Sequence, residues 1–150
     1  MNPTVVIGIG NPLMGDEGVG LSVVDALARR ADDFPGVDFI EGGTGGMKLL
    51  HLIHGRRRAV FVDCARMGEA PGALRRFDPE DVRSCKALAG FSLHEGDLLS
   101  ILEVARGLDR CPEAIVIFGI EPQSVEPRQA LSPAIADRLP QYVRQVADAL

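Results

Sequence analysis

Apolar positions along this chain follow two rhythms. Short unbroken apolar runs alternate with stretches in which apolar residues recur about every three or four positions. Val5-Val6-Ile7-Gly8-Ile9 and Ala59-Val60-Phe61-Val62 are unbroken runs, and they predict strands buried on both faces. Ala114 to Ile120 reads the same way, and Val37 to Ile40 is a shorter strand after the Pro35-Gly36 break. Gly20, Val23, Val24, Leu27 and Ala31 form a helical stripe that Asp16 is placed to cap. A short helix is predicted from Met47 to His54. A longer one, from about Glu95 to Leu108, carries Leu98, Ile101, Leu102 and Ala105 on one face. Leu131-Ser132-Pro133 reads as the start of the last helix, with Ser132 as N-cap and Pro133 in the first turn. Its apolar face is Ile135, Leu139, Tyr142, Val143, Val146 and Leu150, and Pro140 predicts a kink within it. Residues 72–77 read as an extended edge segment, followed by an irregular stretch to Leu93.

Strand–helix alternation with strands this apolar predicts an α/β sandwich around a mainly parallel sheet. In such folds functional sites lie beyond the carboxyl ends of the strands. Polar or Gly-rich segments stand at those places: Gly8-Ile9-Gly10-Asn11 through Asp16-Glu17, Glu41 to Gly46, Asp63, and Ser92-Leu93-His94. If the sheet closes as expected, they converge on one rim.

Composition narrows the class. The 150 residues suit a single domain covering 1–150, with 46% apolar and 25% charged residues and no Trp, so its core is aliphatic. A net charge of −5 argues against nucleic acid as the main partner. The start, Met1-Asn2-Pro3-Thr4, has no basic leader, and no apolar run approaches the ~20 residues that span a bilayer. No membrane partner and a cytoplasmic location are therefore expected. Cys64, Cys85 and Cys111 are odd in number and widely spaced, which suits reduced structural thiols.

Glu17, Asp63 and His94 make an oxygen, oxygen and nitrogen ligand set that leaves a metal position open to a substrate. Each also has a plainer reading. Glu17 suits a first helical turn, where a negative charge contributes ~0.3–1 kcal/mol. Asp63 suits a strand-end turn, and His94 an exposed helix start. Asp16 reads as a cap before it reads as a catalyst. His51 and His54 read as surface residues near a helix C-terminus, and Arg56-Arg57-Arg58 as a solvated turn. Gly8, Gly10 and Gly15 invite a nucleotide reading, but Leu13 stands where the dinucleotide fingerprint needs its third Gly. The acidic pair that follows disfavours an anion and favours a cation.

Gly8-x-Gly10-Asn11, Asp16-Glu17-Gly18-x-Gly20 together resemble the opening signature of the hydrogenase maturation proteases. The resemblance continues through Gly42-Gly43-Thr44-x-Gly46, Asp63, and Ser92-x-His94. It ends with Gly119-Ile120-Glu121-Pro122-x-Ser124-x-Glu126-Pro127 and Leu131-Ser132-Pro133, in order over nearly the whole chain. It implies a three-layer sandwich with a twisted, mostly parallel sheet of about five strands between helices. It implies an endopeptidase that removes the C-terminal extension of a nickel–iron hydrogenase large-subunit precursor after nickel insertion. Glu17, Asp63 and His94 would then sense nickel supplied by that substrate, with Asp16 and the Gly42–Gly46 loop beside them in the catalytic cleft. Where the family often carries Asp before this loop, the chain has Glu41, whose extra methylene keeps the charge but moves it. Whether a carboxylate base or a metal-polarised carbonyl does the chemistry stays open; H-E-x-x-H is absent.

Two rivals remain. Gly8-Ile9-Gly10-Asn11-Pro12 also resembles the opening of peptidyl-tRNA hydrolases, but their following His-Asn element is missing and the acidic total is wrong for tRNA. A non-enzymatic nickel-binding assembly factor would share all three ligands and release no peptide.

Overall fold

The computed structural model describes residues 1–81, 92–93 and 98–150, with backbone course alone at 92–93. Among the described residues six strands form: β1 (Thr4–Gly8), β2 (Val37–Glu41), β3 (Arg58–Arg66), β4 (Leu74–Phe77), β5 (Ser92–Leu93) and β6 (Ala114–Ile120). The helices are α1 (Val19–Ala28), α2 (Lys48–Ile53), α3 (Leu98–Gly107), α4 (Pro133–Ala136) and α5 (Leu139–Ala147). The main sheet runs β2-β1-β3-β6-β4, and β5 pairs with the far end of β3. β2, β1, β3 and β6 are parallel, while the edge strand β4 runs antiparallel to β6.

Alternation along the central strands sorts the core into two layers. Val5 and Ile7 of β1 join Phe61 and Ile117 under α2 and α3, packing against Leu49, Ile53, Ile101 and Leu102. Val6 joins Val60, Val62 and Phe118 on the opposite face, against Val23, Val24 and Leu27 of α1 and Tyr142 and Val146 of α5. Because both faces are covered, the strand sequences are unbroken apolar runs. This is the expected three-layer sandwich. The predicted edge segment is β4, and the parts of the predicted irregular stretch at 82–91 lie outside the described residues.

Three local expectations change. β3 does not end at Asp63 but continues to Arg66, because Cys64 still pairs with Ile120 of β6 while Ala65 and Arg66 pair with β5. Pro140 does not kink one long helix. The chain breaks into α4 and α5, and Pro140 sits in the first turn of α5, where its missing N–H costs nothing. Arg56 is not solvated: its side chain is 7% exposed and pairs with Asp38 of β2. It also donates to the Asn2 carbonyl (2.8 Å) and the Leu52 carbonyl (3.2 Å), so it ties the chain start and α2 to the sheet.

Candidate functional site

The parallel strands deliver Gly8, Glu41, Asp63 and Ile120 to one edge of the sheet. The motif glycines then let other backbone settle on that edge. A Cβ on Gly20 of α1 would lie 2.2 Å from the Val62 carbonyl oxygen and 2.7 Å from that of Ile9. One on Gly10 would lie 1.9 Å from the Glu17 carbonyl oxygen, and Gly10 has a φ of 154°. The Gly-rich opening therefore serves backbone against backbone, not phosphate. The second Gly-rich loop is pinned to the same place: Gly42 N–H donates to the Gly8 carbonyl and Gly10 N–H to the Gly43 carbonyl, both at 2.7 Å.

Between β1 and α1 a single 3₁₀ turn, Gly15–Gly18, carries Asp16 and Glu17. Asp16 is fully buried. It caps neither its own turn nor α1, which correct the expectation drawn from its position before the helical stripe. Its carboxylate reaches across the chain instead. One oxygen accepts the Gln123 and Ser124 N–H groups, both at 2.9 Å, and the Ser132 hydroxyl at 2.8 Å; the other accepts the Ser132 N–H at 2.6 Å. Burial pushes this carboxyl upward, and the hydrogen bonds from Ser124, Ser132 and Gln123 outweigh it, leaving its pKa below the ordinary carboxylate value. Ser132 does hold the N-cap position of α4, as predicted, but its hydroxyl serves Asp16 and makes no cap bond.

Asp63 is buried in β3, one residue beyond the point where β3 leaves β1. The Gly15–Gly18 turn lies against β3. Cys64 feels the acidic groups of this edge. Burial above all, then the negative charges of Asp63, Glu17 and Asp16, push its thiol far above the usual range. Three carboxylates are thus within electrostatic reach of one sulfur. Glu17 is half-buried, the most accessible of the three. Beside the turn runs an open cleft of about 260 Å³, bounded by Pro12, Gly18, Leu21 and the 129–131 segment, with Glu41 at its edge.

The sequence-predicted residues are placed as follows. Asp16, Glu17 and Asp63 share the carboxyl rim, and the exposed Glu41 ends β2 on the same edge. His51 and His54 are exposed near the end of α2, as expected for surface residues. His94 lies outside the described residues; the chain is described up to Leu93, which pairs with Ala65, two residues beyond Asp63. Among the described residues no group of three His, Cys, Asp or Glu is arranged to hold a metal ion by itself. Cys64 and Cys111 are free thiols, and Cys85 lies outside the described residues.

Sequence reasoning gave no role to Glu121. It is buried just past β6, and one of its carboxylate oxygens accepts the Met67 N–H (2.7 Å) and the Glu69 N–H (3.0 Å). An acidic residue directly after a fully apolar strand was the available signal, since a carboxylate there must find donors.

Comparison with known proteins decides the family. The profile of the hydrogenase maturation protease family matches residues 21–149. The chain belongs to the hydrogenase maturation protease family. The Hydrogenase 2 maturation protease of Escherichia coli is 30% identical over 147 residues, which span 97% of this chain and 89% of that protein. The hydrogenase expression/formation protein HoxM of Cupriavidus necator is 32% identical over 122 residues, 81% of this chain, and the match spans only 60% of HoxM. The structure of the hydrogenase maturating endopeptidase HybD from E. coli superposes with a TM-score of 0.83 at 26% identity, covering 100% of this chain and 92% of that one. Among hydrogenase maturation proteases, then, this chain has the sheet, and its acidic turn stands at the carboxyl rim. No helix among the described residues is long and apolar enough to cross a membrane.

Proposed function

We propose that this hydrogenase maturation protease is the endopeptidase that removes the C-terminal extension of a nickel-loaded large-subunit precursor. The observation that carries the reading is that Asp63, just past the point where β3 leaves β1, and the Gly15–Gly18 turn that bears Glu17 and lies against β3 stand on one rim, in a member of this family. Glu17, Asp63 and His94 are the groups that touch the substrate. The nickel belongs to the precursor, held by its own thiolates. Two carboxylates and an imidazole add oxygen and nitrogen donors to an ion that already has sulfur ligands, a mixture that nickel accepts.

Recognition follows from this arrangement. A precursor without nickel offers the carboxylates nothing to grip, so its tail escapes the cleft. A loaded precursor is held with its scissile segment at the rim. Peptide cleavage then needs an activated water and a proton donor. Asp63, fixed on β3, is suited to offer the ion a rigid oxygen donor. Glu17, more accessible, is suited to grip the ion. The cytoplasm is the compartment that fits reduced Cys64 and Cys111.

The test is direct. The protein is mixed with nickel-loaded and nickel-free precursor, and the products are weighed by mass spectrometry. Loss of the C-terminal peptide in the loaded sample alone supports the reading. Intact precursor in both, with a stable complex in the loaded one, makes the protein a nickel-dependent assembly factor instead.

A further inference from the structure

The motif residues that the proposed chemistry leaves idle are Asp16, Glu121, Ser124 and Ser132. They share one job in the structure. Residues 121–132 form a strap that leaves β6 at the site edge and returns to start α4. A buried carboxylate works at each end of it. Glu121 binds the Met67 and Glu69 N–H groups, just past the end of β3. Asp16 binds the N–H groups of Gln123, Ser124 and Ser132 and the Ser132 hydroxyl. Backbone bonds complete the attachment: Asp16 N–H donates to the Ser124 carbonyl (3.0 Å), Gly15 N–H to that of Arg128 (2.9 Å), and Arg128 N–H to that of Leu13 (3.0 Å).

The turn that bears Glu17 needs this help. It is one turn of 3₁₀ helix with no side-chain cap, and such a turn has little stability of its own. From below, Gly10 lets the Glu17 backbone sit directly on the end of β1. From the other side, the strap holds it. Asp16 itself is no ligand, because both its oxygens are taken by donors and it is fully buried. We propose that Asp16 and Glu121 are positioning residues, which use the 121–132 strap to hold the Glu17 turn at a fixed place relative to the outgoing end of β3. This rests on the reading of Glu17 as a group that grips the nickel-loaded precursor.

The experiment is steady-state processing of nickel-loaded precursor by wild type, Asp16→Asn, Glu121→Gln, Ser132→Ala and Ser132→Thr. It is run at a temperature where circular dichroism shows each variant folded. Unfolded enzyme lowers kcat and leaves KM alone, whereas a displaced Glu17 weakens the grip and raises KM. The expected result is a KM raised about fivefold or more in Asp16→Asn and Ser132→Ala, with Ser132→Thr within about twofold of wild type. Should Asp16→Asn fail to fold, Ser132→Ala decides, because it removes one donor and leaves the backbone donors in place. A KM within about twofold of wild type in folded Ser132→Ala overturns the proposal. Failure of the wild type to cleave loaded precursor sinks the peptidase reading and this one with it; normal wild-type cleavage with unimpaired variants sinks the positioning role alone.

Discussion

The Asp16 carboxylate takes both polar hydrogens of Ser132, the N–H at 2.6 Å and the hydroxyl at 2.8 Å. These residues are far apart in the chain, so this pair closes a long loop over the sheet edge. Asp16→Ala leaves the buried N–H and hydroxyl of Ser132 and the part-buried N–H groups of Gln123 and Ser124 without their acceptor. The expected loss is on the order of 3 kcal/mol in urea unfolding at neutral pH. Hydrogen exchange at the three amides should accelerate ahead of the β1 and β3 amides. Equal acceleration everywhere would show that the strap has no independent attachment.

Gly10 and Gly20 make a second case. An added Cβ meets a carbonyl oxygen at 1.9 Å and 2.2 Å respectively, and backbone at a sheet edge has little room to retreat. Gly36 has a φ of 83° but nothing within 4 Å. We expect Gly20→Ala to cost about 3 kcal/mol and Gly36→Ala about 1 kcal/mol, the latter from backbone strain alone. Thermal unfolding of the two variants gives the comparison, and similar melting temperatures would contradict the close approach.

Asp38 should contribute to stability in acid. The Arg56 side chain first, then the Asn2 N–H, hold its carboxyl down from 3.8 to about 2. A depressed folded pKa gives stability that is present above the unfolded value and is lost as pH falls toward the folded one. The window is therefore roughly pH 4 down to 2. Arg56→Met should lower the urea midpoint at pH 6 and make its further fall between pH 5 and pH 2 shallower than in wild type. A parallel fall in both proteins would assign the acid sensitivity to other carboxylates.

The sheet was legible because burial on both faces leaves no choice of residue in Val5–Ile7, Ala59–Val62 and Val116–Ile120. Those runs can only be central strands. The rim positions of Glu17 and Asp63 were legible, because they follow directly from where α1 begins and where β3 leaves β1. What escaped was every long-range polar bond. Asp16 looked like a cap because a local partner is the default for Asp before a helix, and nothing local announces donors on a strap that begins after β6. Arg56 looked solvated because it stands in an arginine run, yet its stem is covered by the chain start and α2. Patterns of burial are written in neighbouring residues; pairings between distant loops are not.

The two rim carboxylates should separate activity from stability. Glu17 is half-buried on a short turn, so Glu17→Gln keeps shape and volume while removing charge. Asp63 is 1% exposed, so truncation to Ala would open a hole in β3, and Asp63→Asn is the cleaner change. Unfolding free energy should stay within about 1 kcal/mol of wild type for both. Removing either negative charge should also let the Cys64 thiol ionise at lower pH, since both charges now hold it up. Processing of nickel-loaded precursor should fall by a factor of about 100 or more in each, the scale expected when a group that holds or activates the substrate is lost. The readings are mass spectrometry of the released peptide and thiol alkylation rate against pH. Processing at the wild-type rate with a changed Cys64 titration would place both carboxylates at the rim and outside the reaction.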